Sequence, residues 1–182
     1  MEGTILVGDH IFLNKLLYAP QVPFTTLRLP RLKRVARGNI VAFHYPKDPS
    51  LNFLKRVIAV GGDVVEIKDG IVYVNHMPVR EPYAVHTNPP WKRHPDSLSA
   101  RLVPLGQLFV LGDNRDNSDD SRFWGTVPVG NVIGEPLFVF WSYDAPSAAW
   151  LNESPRFQLH FYSSILSHLF ARTRWNRLGI LL

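Results

Sequence analysis

Two features of this sequence contain residue types that support acid and base chemistry. One is Lys55, in the largely apolar stretch FLKRVIAVGGD that spans Phe53–Asp63. The other is the polar run GDNRDNSDDSRFWGTVP, which spans Gly112–Pro128. A lysine works as a base near neutral pH only when its pKa falls from about 10.4 to roughly 7 or 8, and burial among apolar side chains lowers it in that direction.

The surroundings of Lys55 follow from the alternation of a β-strand. If Phe53–Val60 is a strand, one of its faces carries a single charge among apolar side chains. That face contains Phe53, Lys55, Val57 and Ala59, and the other contains Leu54, Arg56 and Ile58. A lysine at a sheet edge, or one that extends its amine to water, has the same local pattern. The pattern alone therefore leaves both interpretations open.

The polar run follows Gln107–Leu111 (QLFVL), an apolar segment that predicts a strand, and Gly112 begins a turn at its end. Ion pairs and bonds to the backbone can hold such a loop in one shape. The side chains that can do so are Asp113, Arg115, Asp116, Asp119, Asp120 and Arg122. Ser118 and Ser121 are then candidates to orient another group. A well-capped surface loop would have the same composition.

Other catalytic classes have less support. The chain has no cysteine, which excludes a thiol nucleophile, a thiolate metal site and a disulfide framework. The seven histidines lack a nearby Asp or Ser pattern and the metal-ligand spacing HExxH, so we expect them to pack or to face solvent. They are His10, His44, His76, His86, His94, His160 and His168. We expect no metal ion and no cofactor.

Length and composition favour a β-rich chain with one sizeable core. The chain has 182 residues, is 46% hydrophobic, and contains 15 prolines and 12 glycines, which suits many short strands. Val64–Lys68 and Ile71–Asn75 flank Asp69-Gly70, the preferred pair for a type I′ hairpin. Further short strands are expected at 40–43, 108–111 and 137–141. The segment 81–101 is expected to be a loop or an insertion.

The net charge of +5 favours an anionic partner. Basic and apolar residues interleave in the stretch 27–37, which suits an anionic lipid surface, although a solvated loop has the same pattern. Its basic members are Arg28, Arg31, Lys33, Arg34 and Arg37. No nucleic-acid motif is present, so we expect no nucleic-acid partner. The segment Phe157–Leu182 also mixes apolar residues with arginines, and is either a surface-seeking amphipathic helix or a terminal segment packed on the core.

Four blocks, in this order, resemble the type I signal peptidases, the membrane-anchored serine proteases of bacteria and organelles that remove secretory signal peptides. They are MEGTILVGDHIFLNK at 1–15, RGNIVAF at 37–43, FLKRVIAVGGD at 53–63, and the GDNR run from residue 112. The resemblance implies a mainly β fold of coiled or barrel-like antiparallel sheets, with a short C-terminal helical or irregular segment. We expect a single catalytic domain over 1–156 and a basic, apolar C-terminal segment over 157–182.

The resemblance also implies roles for particular residues. Lys55 would be the general base, and Ser118 the hydroxyl that orients it. Asp120 and Arg122 would form a supporting ion pair. The residues that would shape the loop around them are Gly112, Asp113, Asn114 and Arg115, and the residues that would line the substrate pockets are Met1, Ile5, Phe53 and Leu54.

The expected nucleophile does not match any residue of this chain. In the resembled family, a serine stands immediately before the methionine that matches Met1, and a second serine lies two positions further upstream. Both positions fall before residue 1, and no window reaches the roughly 18 to 20 apolar residues of a membrane span. We therefore expect a chain truncated just after the nucleophile position, inactive unless an upstream serine exists. Gly3 and Asn39 also depart from the proline and aspartate that are usual there.

The resulting hypothesis is a signal peptidase that cleaves secretory preproteins after Ala-x-Ala sites through an acyl-enzyme. It would be membrane-associated, with its catalytic domain on the extracytoplasmic side of the bacterial inner membrane. The alternative is an inactive paralogue that binds a peptide or a partner without cutting. A self-cleaving repressor-type protease would share the Ser-Lys pair, but no DNA-binding segment or scissile Ala-Gly linker is present.

Overall fold

The structure is a computed structural model that describes residues 1, 4–18, 32–89, 97–151 and 154–182. The described chain contains ten strands and four α-helices. The strands are β1 Asp9–Asn14, β2 Ile40–Tyr45, β3 Asp48–Val60, β4 Val64–Lys68, β5 Ile71–Val74, β6 Met77–Pro78, β7 Leu98–Leu102, β8 Gln107–Leu111, β9 Val127–Pro128 and β10 Val132–Ser142. The helices are α1 Ser121–Trp124, α2 Ser147–Leu151, α3 Pro155–Ser167 and α4 Leu169–Arg172. Short 3₁₀ turns lie at Arg115–Asn117, Val129–Asn131 and Trp175–Arg177.

The fold is mostly β with antiparallel sheets, as the sequence predicts. The chain divides into two compact units. The first contains Met1–Thr4 and Leu13–Pro136, and the second contains Ile5–Phe12 and Leu137–Leu182. The predicted C-terminal segment is helical, and it belongs to the second unit.

The ten strands of the described chain form two sheets. The larger has the strand order β1-β10-β2-β3-β8-β9, and the smaller has the order β6-β5-β4-β7. In the larger sheet, β3 lies between β2 and β8 and pairs antiparallel with both. Residues in the centre of a sheet lose solvent on both sides, so the position of β3 buries its C-terminal half. Val57 and Ala59 are fully buried there.

The hairpin prediction is confirmed. β4 and β5 pair in register from Val65 with Val74 to Lys68 with Ile71. The two residues between the strands, Asp69 and Gly70, have φ values of 49° and 79°. Positive φ at both central positions is the requirement of a type I′ turn, and glycine meets it without a steric cost.

The alternation predicted for β3 holds only as far as Val57. Val57 pairs with Val110 and Ala59 pairs with Phe109, so Ile58 is an extra residue in β3. Such a bulge places two consecutive side chains on the same side of the strand. Val57 accordingly packs in one core cluster, with Val41 and Phe43, whereas Ala59 packs in the other. The expectation that Ala59 shares a face with Lys55 is therefore wrong.

The segment 81–101 is a loop only in part, since β7 begins at Leu98 and pairs with β4. Leu98 is buried in the same core cluster as Val65 and Ile67. β7 is an edge strand whose other four residues are all exposed, and the composition of the segment did not reveal the burial of Leu98. Of the same segment, residues 90–96 lie outside the described part, as do residues 27–31 of the basic stretch and the departure at Gly3.

The second unit is held together by one buried carboxylate and by aromatic packing. Asp9 accepts hydrogen bonds from Ser142 Oγ at 2.6 Å and from Arg177 Nη2 at 2.6 Å. His10 stacks on Trp141, with 4.7 Å between ring centroids, which agrees with the packing role expected of it. Among the described helices, none has the length and apolar character needed to cross a bilayer.

Candidate active site

Lys55 lies in the regular part of β3, where it pairs with Val41 of β2. Its side chain is half-buried, and Phe53, two residues earlier, lies on the same face with its ring centroid 5.6 Å from Lys55 Nζ. Burial lowers the pKa of Lys55 below the ordinary lysine value, while the carboxylates of Asp120 and Asp119 act in the opposite direction. Burial is the largest of these effects, so the amine of Lys55 is a stronger candidate for a base than an exposed lysine.

The amine of Lys55 has a hydroxyl partner. Lys55 Nζ donates a hydrogen bond to Ser118 Oγ over 3.0 Å. Ser118 directly follows the 3₁₀ turn Arg115–Asn117, which brings a residue 63 positions away in sequence to the face of β3. An amine that donates one hydrogen to a fixed hydroxyl has a restricted orientation, so its lone pair can face another group.

Gly112 leaves the space that this contact needs. A methyl group built on Gly112 would overlap Ser118 Oγ, and would lie 2.7 Å from Ser118 Cβ and 3.6 Å from Lys55 Nζ. Any side chain at this position would therefore displace Ser118. The loop at the end of β8 requires glycine here because of this close approach, not because of a positive φ.

Asp120 stabilises the loop after β8 through buried hydrogen bonds. It is fully buried, and its Oδ2 accepts a hydrogen bond from Gly112 N at 3.1 Å. Arg122 binds it with two nitrogens, Nε at 2.8 Å and Nη2 at 2.9 Å. Arg122 Nη2 also donates to the carbonyl oxygen of Arg115 at 2.6 Å. The expected ion pair of Asp120 with Arg122 is thus present. Through it, the backbone at Gly112 and at Arg115 is attached to the residues that follow Ser118.

Arg115 is buried, and its carboxylate partner is Glu81, which lies outside the polar run. Its Nη2 lies 2.5 Å from Glu81 Oε1, and its Nε donates to the carbonyl oxygen of Gly112 at 3.3 Å. Asn114 forms an isolated parallel bridge with Val85. These contacts attach the segment after β6 to the polar loop. Sequence reasoning did not identify Glu81, since nothing in its local pattern indicates a partner 34 residues away.

Asp113 binds the opposite face of β3. Arg56 donates to both of its carboxylate oxygens, from Nε at 2.9 Å and from Nη2 at 2.8 Å. Thr4 Oγ1 donates to the same carboxylate at 2.5 Å, and Thr4 N donates to the carbonyl oxygen of Met1 at 3.0 Å. The guanidinium of Arg56 also lies over the ring of Tyr83, 3.9 Å from its centroid. Asp113 therefore connects the chain start, β3 and the polar loop.

The four predicted pocket residues are not equivalent. Phe53 stacks on Tyr45, with 4.6 Å between centroids, and lies on the Lys55 face. Leu54 stands between Phe53 and Lys55 and, by alternation, projects from the opposite face of β3. Met1 belongs to the first unit and Ile5 to the second, and both are half-buried. Trp124 and Phe43 complete an aromatic cluster with Tyr45 and Phe53 that the sequence did not predict.

His86 has a carboxylate partner that the sequence did not reveal. His86 Nδ1 lies 3.1 Å from Asp116 Oδ1, and Asn88 N donates to Asp116 Oδ2 at 2.7 Å. His86 is thus bound to a carboxylate instead of simply packing or facing solvent. Within the described ranges, no group of three or more histidines and acidic residues is arranged to hold a metal ion.

A family model described as signal peptidase, peptidase S26, matches residues 1–141, the part of the chain that contains Lys55, Ser118 and the loop around them. The chain therefore belongs to the signal peptidase family, and the resemblance found in the sequence is confirmed.

Two individual relatives agree with this assignment. The probable signal peptidase I-1 of Synechocystis sp. is 38% identical over 160 residues, which cover 82% of this chain and 69% of that protein. The signal peptidase I of Aquifex aeolicus is 31% identical over an alignment of 202 positions, gaps included, that covers 81% of this chain and 74% of that protein. A solved signal peptidase I of Enterococcus faecalis V583 is 32% identical, with a TM-score of 0.48, and the match covers 57% of this chain and 97% of that chain.

Proposed function

We propose that this chain is the catalytic part of a signal peptidase that uses a Ser-Lys pair, with Lys55 as the general base. The observation that carries the proposal is the 3.0 Å contact between Lys55 Nζ and Ser118 Oγ. Burial also lowers the pKa of this lysine. A lysine in that state is suited to accept a proton from a hydroxyl, and a fixed second hydroxyl keeps its amine directed.

In the proposed reaction, neutral Lys55 removes the proton from the hydroxyl of the attacking serine. The serine oxygen adds to the scissile carbonyl carbon, and the C–N bond then breaks as Lys55 returns the proton to the leaving amine. Water hydrolyses the resulting ester with Lys55 again as base. Ser118 acts as a positioning residue, since in this scheme it touches the base and not the substrate.

The nucleophile is proposed from the resemblance, which places a serine immediately before Met1 and so outside this sequence. Two contacts support that location. The bond from Thr4 N to the Met1 carbonyl closes a turn at the chain start, and the bond from Thr4 Oγ1 to Asp113 attaches that turn to the polar loop. A residue preceding Met1 would therefore begin from a segment anchored on the loop that supplies Ser118.

The proposed substrates are secretory preproteins with Ala-x-Ala type cleavage sites, bound at a membrane on its extracytoplasmic side. Phe53 and the aromatic cluster beside it form an apolar wall on the Lys55 face. A wall of large rings leaves shallow space next to the base, which favours small substrate side chains. Met1, Ile5 and Leu54 remain proposed pocket residues by the resemblance alone.

The test is cleavage of a preprotein by the chain extended upstream of Met1 with a segment that ends in serine. We expect the Lys55→Ala variant to lose about 10²–10⁴-fold in rate, the usual contribution of a general base. Lys47→Ala is the matched control, because Lys47 is exposed in the turn between β2 and β3. Undiminished cleavage by the Lys55→Ala protein would refute the assignment, and peptide binding without any turnover in the extended wild type would favour the inactive paralogue.

A further inference from the structure

The helix α3 carries two apolar stripes, and only one of them is covered. Ile165 is buried and Phe161 is half-buried, so this side packs within the second unit. Leu159, Tyr162 and Leu166 follow the spacing i, i+3, i+7 and are 77%, 56% and 77% exposed. At 3.6 residues per turn these three lie within a sector of about 60°. The sequence left two alternatives open for this segment, a surface-seeking amphipathic helix and a segment packed on the core. α3 has the features of both, since one side is buried and the other exposes apolar residues.

The segment after α3 also exposes aromatic rings. Phe170 and Trp175 stack with 5.9 Å between ring centroids, and both are more than half exposed. Leu181 is also largely exposed. Scattered apolar residues are normal on a protein surface, but a patterned group on one helix and the turn after it marks an interaction site.

Charge indicates the chemistry of the partner. Residues 154–182 contain four arginines and two histidines, with no aspartate or glutamate. Arg177 is paired with Asp9, and Arg174 lies 3.9 Å from Asp144. Arg156 and Arg172 are exposed, and neither has an ion pair among the described residues. Arg156 lies one turn before Leu159 on α3, and Arg172 ends the next helix, α4. Leu159, Tyr162, Leu166 and these two arginines, called the patch below, are therefore apolar and positive.

We propose that this patch docks on an anionic lipid surface. Leu159, Tyr162 and Leu166 enter the boundary between headgroups and acyl chains, and Arg156 and Arg172 bind lipid phosphates. A second copy of the chain fits the patch less well. A twofold interface would oppose the same surface on both copies, and would bring unpaired arginines together with no acid from this segment to neutralise them. The inference extends the proposed membrane association and does not depend on the peptidase chemistry.

The experiment is co-sedimentation of the 182-residue chain with phosphatidylcholine vesicles, with and without about 30 mol% phosphatidylglycerol as the anionic lipid. We expect binding to the anionic vesicles, and at least a tenfold weaker partition, as an order-of-magnitude estimate, for the stripe variant. That variant is Leu159→Ser/Tyr162→Ser/Leu166→Ser. The matched control is Met77→Ser/Leu102→Ser/Leu105→Ser, whose three residues are also largely exposed but lie in the first unit, and this variant should bind vesicles as the wild type does.

A second pair of variants separates charge from apolar insertion. Arg156→Gln and Arg172→Gln should each weaken binding to anionic vesicles by about fivefold and leave binding to neutral vesicles unchanged. High salt should have the same effect as the two substitutions together, since it screens the attraction.

Two results would overturn the proposal. One is equal vesicle binding by the stripe variant and the wild type when both have the same thermal unfolding midpoint. The other is a lipid-free wild-type dimer, seen by sedimentation equilibrium, that the stripe variant converts to a monomer while neither binds vesicles. If the 182-residue chain binds vesicles but the serine-extended chain cleaves no preprotein, this inference is retained and the proposed function is removed.

Discussion

Lys55 and Arg56 are adjacent in β3 and carry the same charge, but the fold gives them opposite surroundings. Arg56 binds both oxygens of a carboxylate that is only 1% exposed, and its own side chain is 13% exposed. Lys55, on the other face, has a neutral hydroxyl as its hydrogen-bond partner, and burial lowers its pKa. One strand thus separates a cation that stabilises the fold from a cation whose charge the fold disfavours.

The cost of this arrangement falls on Lys55. A buried cation that binds both oxygens of a carboxylate is stable in its charged form. A buried amine whose partner is a neutral hydroxyl is more stable when it has lost its proton. Active sites often retain such locally unfavourable groups because the chemistry requires them. We therefore expect substitution of Arg56 to lower stability and substitution of Lys55 to leave it unchanged or to raise it.

The largest expected effect on stability is that of Arg56→Met. This change leaves the carboxylate of Asp113 buried without its cation, and we expect a loss of about 3–5 kcal/mol in the free energy of unfolding. The adjacent change Lys55→Met replaces a disfavoured amine by an apolar side chain, and should leave stability at neutral pH unchanged or higher. Urea unfolding of both variants checks the pair. Similar losses in the two would contradict the contrast between the faces.

The next effect concerns Gly112, which allows Ser118 to reach Lys55. We expect Gly112→Ala to cost about 1–3 kcal/mol, since the added methyl must displace Ser118 or the backbone. Gly130→Ala is the matched control, because nothing lies within 4 Å of a methyl group built there. The control should change the free energy of unfolding by less than about 0.5 kcal/mol. Equal effects at the two glycines would mean that the close approach at Gly112 is not a constraint.

The sequence predicted one side of this site much better than the other. The pairing of Lys55 with Ser118 and the ion pair of Asp120 with Arg122 were expected from the family resemblance, and the two-residue turn at Asp69-Gly70 follows from local backbone preference. The contacts on the Arg56 face join residues 57 and 109 positions apart. Alternation placed Arg56 on that face, but its partner depends on how the loop and the chain start are brought together.

The bulge in β3 was missed for a related reason. The residues from Val57 to Val60 are all apolar, so their pattern does not show where a bulge adds one extra residue to the pairing with β8. The pairing with β8 decides this, and so moves Ala59 to the other core cluster. Local pattern therefore predicted an apolar face around Lys55, and pairing between strands determined where that face ends.

The third prediction uses the lowered pKa of Lys55. Between the native pKa of Lys55 and about 10.4 in the unfolded chain, the unfolded state binds the proton and the native state does not. The unfolded state thus binds more protons, so the free energy of unfolding rises with pH in this window, by at most about 1.4 kcal/mol per pH unit. Below the native pKa both states are protonated, and the contribution of Lys55 no longer changes with pH. The slope of stability against pH in this window should fall in Lys55→Met and stay the same in Lys47→Ala.

The smallest expected change in stability is that of Ser118→Ala, at about 1 kcal/mol or less, because it removes one half-buried hydrogen bond. Ser121→Ala should cost more, about 1–3 kcal/mol, since it leaves the fully buried Val110 N without its acceptor.

In the serine-extended chain, Ser118→Ala should also lower the cleavage rate and shift the acidic limb of the pH profile to lower pH. The shift is expected because a hydrogen bond to Ser118 Oγ favours the charged amine, and its loss lowers the pKa of Lys55 further. Ser118→Thr keeps the hydroxyl and should restore the wild-type profile, whereas a serine that only stabilises the loop would change the rate without moving that limb.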